Sequence, residues 1–471
     1  MAERVLLIGW DGADWGLIDP LLAAGRMPNL ASLIESGVRG TLAAPRPLLT
    51  PMLWTTIATG KPPHAHGVVG HNQPWVNRRG VSPVTASIRT CAAIWDIVEN
   101  SNAIAWPVSH PVAHHGGGVI VSDRYAMRSA YLLPMTEPEV ARSVHPPVMR
   151  AALDGLCRRP QDMEVAALRQ LIPRVGETDP ADRRPATAAG VIAETMTIHG
   201  ITRHVLEQIA PSRLTAVCFP GLERLSRIFM ELHPPRLPFV DERDFALFRD
   251  VMTAAYELHD RVLGSLIGVA GDDATIVLVS DHGFHHDEKR PNFSPSAARA
   301  SHEMMSDTWH RPEGIVIMSG PHVRQSTQPI RGHVLDVVPS VLALLGRPKG
   351  ADMPGRAWHD VLELGAVPAN VPSYDGAERR RHASNDARDE AERTSDDAIA
   401  HLLGLGYTEP PDPATDRDVE QCEYTNATNL ARSLLEANMP ERAAELIEPW
   451  LARRPDDEAL HALMEVARPR D

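Results

Sequence analysis

Two short apolar runs, each stopped by an aspartate, constrain this chain more than any other feature. Val5-Leu-Leu-Ile-Gly9 leads into Trp10-Asp11-Gly12, and Ala274-Thr-Ile-Val-Leu-Val-Ser280 leads into Asp281-His282-Gly283. Neither run alternates apolar with polar residues. Both faces must then be buried, which is the condition of a strand inside a parallel sheet. Ile315 to Met318 reads as a further strand. Leu17 to Ala24, Pro28 to Ile34, Thr50 to Gly60 and His333 to Leu345 read as helices, the last closed by Gly346. Strands alternating with helices predict an α/β fold with a doubly wound, mostly parallel sheet between helix layers. Tyr125 to Ala210 is rich in helix formers and broken by Pro160, Pro173, Pro180 and Pro185, so 125–210 is expected to be a helical insertion capping the site.

The core domain is expected over 1–365. A charged linker with a short helix should follow over 366–424, centred on Glu378-Arg-Arg-Arg-His382 and the alternating Asp, Glu and Arg after it. Residues 425–471 carry an amphipathic helix pair, Asn429 to Ala437 and Pro440 to Arg453, with a third helix starting near Asp457. This pattern resembles one tetratricopeptide-type repeat. A single repeat cannot bury its own apolar face. Its stripe of Leu430, Leu434, Leu446 and Ile447 should dock on the core or on a protein partner.

Composition closes off other classes. Of 471 residues, 47 are Lys or Arg and 61 are Asp or Glu, a net charge of -14. That balance argues against a nucleic-acid polymer or a basic membrane-surface role. It leaves room for a small phosphorylated substrate, because a bound metal reverses the local field. The four cysteines form no CxxC pair, so neither a thiolate zinc site nor a disulfide framework is expected. Met1 to Gly9 enters a strand with no signal-peptide pattern, and no apolar stretch of about 18 residues occurs. The expected location is cytoplasmic.

Asp11 and Asp281 each follow an apolar strand, where open α/β sheets bind their ligands. Each also suits a helix cap. Together, and with His282 adjacent, they make a candidate metal site. Thr50 precedes Pro51 at a helix start. That is an ordinary N-cap pattern, and also a place where backbone N–H groups and the helix dipole favour an attacking oxygen and an incoming phosphoryl or sulfuryl group. Most of the many histidines read as surface or core residues, and His66-Gly67 as a turn.

The run Gly9-Trp-Asp11-Gly-Ala-Asp-Trp15, then Pro28-Asn29-Leu30, Thr50-Pro-Met-Leu-Trp54 to Gly60, and His66-Gly67 resembles the alkaline phosphatase superfamily, more narrowly its type I phosphodiesterase/nucleotide pyrophosphatase branch. Val279 to Gly283, His310, Asp336-Val-Val-Pro339 and Pro354-Gly355-Arg356 continue the resemblance in order, to about residue 365. It implies an alkaline-phosphatase-like α/β fold and a metal-dependent phosphoester hydrolase. Thr50 would be the nucleophile, forming a covalent phospho-threonine. It implies zinc, one or two ions, or another divalent metal. Asp11, Thr50, Asp281 and His282 match the ligands of one ion, and His310 matches a ligand of the second.

The second ion's Asp-x-x-x-His motif falls on Glu223 and Arg227. Glutamate can still ligate, but arginine has no free lone pair. Three readings follow: one metal with Arg227 gripping the phosphoryl group, a noncatalytic phosphate-ester-binding scaffold or sensor, or a ligand from His233, His285 or His286. The branch also implies a substrate-binding asparagine, which falls near His71 and Asn72. A phosphomonoesterase or sulfatase of the same superfamily is the nearer alternative, although Thr50-Pro-Met-Leu lacks the sulfatase C/S-x-P-x-R pattern.

Overall fold

The computed structural model describes residues 4–74, 80–112, 117–131, 133, 135–209, 211–291, 308–363, 365, 368–376 and 416–468. The described strands are β1 (Arg4–Trp10), β2 (Gly37–Ala43), β3 (Asn72–Pro74), β4 (Val81–Pro83), β5 (Ser101–Trp106), β6 (Ile120–Ser122), β7 (Val144–His145), β8 (Leu214–Phe219), β9 (Ala274–Val279), β10 (Gly283–Phe284), β11 (His310–Arg311), β12 (Glu313–Ser319) and β13 (Ile330–His333). Nine of them form one sheet in the order β13-β2-β12-β9-β1-β8-β5-β6-β7. All run parallel except β12 and the edge strand β7.

The missing alternation in the apolar runs has its reason in the packing. Along β1, Leu6, Ile8 and Trp10 enter one core, shared with the helices Arg184–Gln208, Gly221–Phe229 and Val251–Ala270. Val5 and Leu7 enter the other, with Trp54, Trp106 and the helix Val337–Leu344. A central strand between two helix layers has no solvent face to mark with polar residues.

Two expectations are corrected. Segment 125–210 is not a separate cap. It supplies edge strand β7 and the 25-residue helix Arg184–Gln208, which buries Val191, Ile198 and Ile201 in the main core. Small and β-branched residues hide this role in the sequence, because a helix buried on several sides has little amphipathic period. The linker expected over 366–424 falls largely on 377–415, outside the described residues. The helix after it, Asp416–Glu436, begins before the expected boundary. It packs with Pro440–Arg453 and Glu458–Ala467 around Ala431, Leu434, Ile447, Trp450 and Leu460. No described helix is long and apolar enough to cross a membrane.

Candidate active site

β1, β8 and β9 end at one edge of the sheet, with Trp10 level with Phe219 and Gly9 level with Val279. Asp11 follows β1, the helix Gly221–Phe229 follows β8, and Asp281-His282 follows β9. β12 is antiparallel to β9, so its N-terminal end reaches the same edge. That reversal delivers His310, three residues ahead of β12. Gly12 turns the chain after Asp11 at φ 76°, and a Cβ there would lie 3.3 Å from the Glu223 backbone. Only glycine satisfies both conditions without strain.

Asp11, Asp281 and His282 form a tight buried group. His282 Nε2 lies 3.7 Å from Asp11 Oδ1 and 3.7 Å from Asp281 Oδ2. Ligands at ~2.1 Å around a tetrahedral ion stand about 3.4 Å apart, so this spacing suits a divalent metal. Asp11 Oδ1, Asp281 Oδ2 and His282 Nε2 are all buried with no hydrogen-bond partner. Such orphaned atoms are rare in folded proteins unless something else binds them. His282 Nδ1 donates to the Gly283 carbonyl at 3.1 Å, which leaves the Nε2 lone pair facing the carboxylates.

The electrostatics carry the same sign. Burial, then the Glu223 charge, pushes the Asp11 carboxyl up to about 7. Burial, then Asp11, holds Asp281 well above the usual carboxylate range. Burial depresses His282. Two carboxylates crowded out of water call for a cation between them.

The second group, Glu223, His282 and His310, differs. His310 Nε2 stands 3.6 Å from Glu223 Oε1, and His310 Nδ1 donates to the Leu48 carbonyl at 3.0 Å. The Arg227 guanidinium already holds that same Glu223 oxygen, through Nε at 2.6 Å and Nη2 at 2.5 Å. His282 has a single available nitrogen, and its ring stacks on His310 at 4.0 Å. Once Nε2 serves Asp11 and Asp281, this group keeps two ligands and a fixed positive charge. Neither group contains His233, His285 or His286. His286 instead packs over Gly16, 3.8 Å from Asp14. Asp14, three residues after Asp11, is saturated by Gly16 N, Phe284 N and both-oxygen contact from Arg311, which explains why it is no ligand.

Thr50 is the first residue of the helix Thr50–Thr59, not its N-cap, a place taken by Leu49. Boundaries often differ by one residue from a sequence reading. Thr50 lines an open cleft with Asp11, His71, Glu223, Arg224 and Arg227. Apolar Val84, Val108 and Met127 also line it, as does Glu194, which pairs with Arg224 at 3.2 Å. Asn72 is not among the lining residues. It sits in β3, and its backbone carbonyl accepts from Asn426 at 2.9 Å.

Two residues were underread in the sequence. His71, not Asn72, faces the cleft, and a one-residue register decides this in a loop without periodicity. His66 clamps the helix Thr50–Thr59: its Nδ1 accepts from Val68 N at 3.1 Å, and its Nε2 donates to Thr56 Oγ1 at 3.0 Å. The His-Gly pair does make the expected turn, with Gly67 at φ 85°.

Comparison with known proteins adds the family. No curated protein sequence matches the chain. Among solved structures, a phosphonoacetate hydrolase from Sinorhizobium meliloti 1021 in complex with phosphonoformate is 17% identical, with a TM-score of 0.37. The match covers 60% of this chain and 57% of that one. A murine ectonucleotide pyrophosphatase/phosphodiesterase 5 is 11% identical, covering 76% of this chain and 100% of that one, with a TM-score of 0.41. The type I phosphodiesterase / nucleotide pyrophosphatase profile matches residues 5–349, most of the chain and all the site residues discussed above. The chain therefore belongs to the type I phosphodiesterase / nucleotide pyrophosphatase family of phosphoric-ester hydrolases.

Proposed function

We propose that this chain hydrolyses small phosphodiesters or nucleotide pyrophosphates with Thr50 as nucleophile and one divalent ion, zinc, held by Asp11, Asp281, His282 and Thr50. The observation that carries the reading is the trio of orphaned buried ligand atoms, 3.7 Å apart across His282, one of whose members, Asp11, lines the cleft with Thr50. An oxygen-rich set with one imidazole at tetrahedral spacing suits zinc. When bound, the ion lowers the threonine's pKa and offsets phosphoryl charge.

The chain's own residues would do the rest. Thr50 Oγ attacks phosphorus, its proton leaves, and the P–O bond to the leaving group breaks. The leaving oxygen takes a proton, and water then cleaves the phospho-threonine to return the hydroxyl. The start of the helix Thr50–Thr59 supports charge on the phosphoryl oxygens through its N–H groups and dipole. Arg227, fixed against Glu223 at the cleft wall, supplies the positive charge a second ion would bring and grips a phosphoryl oxygen. Burial holds His282 and His310 neutral, and their backbone carbonyl partners orient them.

Thr50→Ala tests the assignment. Turnover of bis(p-nitrophenyl) phosphate should fall at least about a thousandfold, in line with loss of an activated nucleophile. Metal content should change little, because three ligands remain. Near wild-type turnover in a folded Thr50→Ala protein would remove Thr50 from the mechanism.

A further inference from the structure

The helix Asp416–Glu436 does more than close the C-terminal bundle. One face, Ala431 and Leu434, packs inside that bundle. Another face carries Asn426, Asn429 and Ser433, spaced three and four residues apart, which places them on one side of a helix. All three bond the segment that follows the nucleophile helix. Asn429 Nδ2 donates to the Val69 carbonyl and Asn426 Nδ2 to the Asn72 carbonyl, both at 2.9 Å. Ser433 Oγ accepts from His64 N at 3.2 Å and lies 3.0 Å from His64 Nδ1. Gly70 lets the helix come this close, since a Cβ there would collide with the Asn426 carboxamide. At the helix end, the Glu436 carboxylate accepts from the Arg46 backbone N–H, in the segment leading to Thr50.

The gripped segment is the one that matters to the cleft. His71 lies between the Val69 and Asn72 contacts and lines the cleft with Thr50. From inside, His66 ties the same segment to Thr56 on the nucleophile helix. The contacts go to backbone carbonyls and N–H groups, so they hold a conformation rather than recognise a side chain.

We infer that Asn426, Asn429 and Ser433 are positioning residues for the active site, holding His71 and the chain that follows the nucleophile helix from a module outside the core. This rests on the proposed hydrolase reading for its kinetic consequence. Misplacing a cleft group by about 1 Å can cost on the order of a hundredfold in rate.

The test uses the full chain with Asn426→Ala and Asn429→Ala combined. For bis(p-nitrophenyl) phosphate, kcat should drop about tenfold or more, with KM and bound metal nearly unchanged. In a His71→Ala background the same pair should add little, since the effect passes through His71. Asn429→Gln, which keeps a carboxamide donor, should recover part of the lost kcat. An unchanged kcat, or a full independent loss on top of His71→Ala, overturns the inference. Hydrogen exchange separates its failure from that of the hydrolase reading. Amides of 64–72 should exchange faster in the double variant even if the wild type turns over no phosphoester, and unchanged exchange there overturns the inference on its own.

Discussion

Arg227 decides what kind of site this is. At its position a histidine would add a ligand, whereas the guanidinium brings a permanent charge and an ion pair to Glu223. The combined change Glu223→Asp and Arg227→His removes that charge and sets two ligands four residues apart on one helix face, toward His310. Bound zinc per chain, measured by elemental analysis, should rise by about one. No gain would mean that the second pocket is closed by more than Arg227. The substitution is legible in the sequence because the motif is local. Its consequence is not, because the contact between Glu223 and His310 spans 87 residues and depends on β12 running backwards. The trio of Asp11, Asp281 and His282 was legible for a complementary reason: each follows an apolar strand, and parallel strands bring their C-terminal ends together.

Two buried histidines make the helices around the site sensitive to acid. His66 is neutral by geometry, since its Nδ1 accepts from Val68 N. Burial, then Arg89 and His64, depresses it to about 3. His259 donates Nδ1–H to the Ala255 carbonyl, leaves Nε2 without a hydrogen-bond partner, and is depressed to about 4 by burial. Both have folded values below the ordinary value of about 6.5. The unfolded chain therefore binds protons that the folded chain refuses. Stability is complete above pH ~6.5 and falls as pH drops toward 4, by up to about 1.4 kcal/mol per pH unit for each group. Urea midpoints between pH 7.5 and 4.5 check this. His259→Leu should make the fall shallower by about one proton, and an identical slope would show that His259 charges without opposition. At this scale the sequence placed the starts of Thr50–Thr59, Pro440–Arg453 and Glu458–Ala467 within one residue, because Pro51, Pro440 and Asp457 mark them, but it began the helix Asp416–Glu436 only at Asn429. It misplaced Arg184–Gln208, whose burial on several sides removes the period that marks a surface helix.

The whole molecule puts its chemistry on the edge of one sheet and braces it from two sides. The strand ends supply Asp11, Asp281 and His282, while helices from distant parts of the chain supply Thr50 and Glu223. The C-terminal helices reach this edge through Asn426, Asn429 and Ser433. The apolar stripe expected to dock on the core or a partner is instead covered by the three C-terminal helices themselves. Their seat on the core is polar, and polar contacts to backbone leave no pattern in either partner. The central claim is that one ion, with Arg227 in place of a second, makes the site competent. Metal-depleted full-length protein titrated with zinc, followed by bis(p-nitrophenyl) phosphate turnover, tests it most directly. Activity should be absent without metal and reach its plateau at one equivalent of zinc per chain. A plateau only at two equivalents, or full activity in metal-depleted protein, would contradict it.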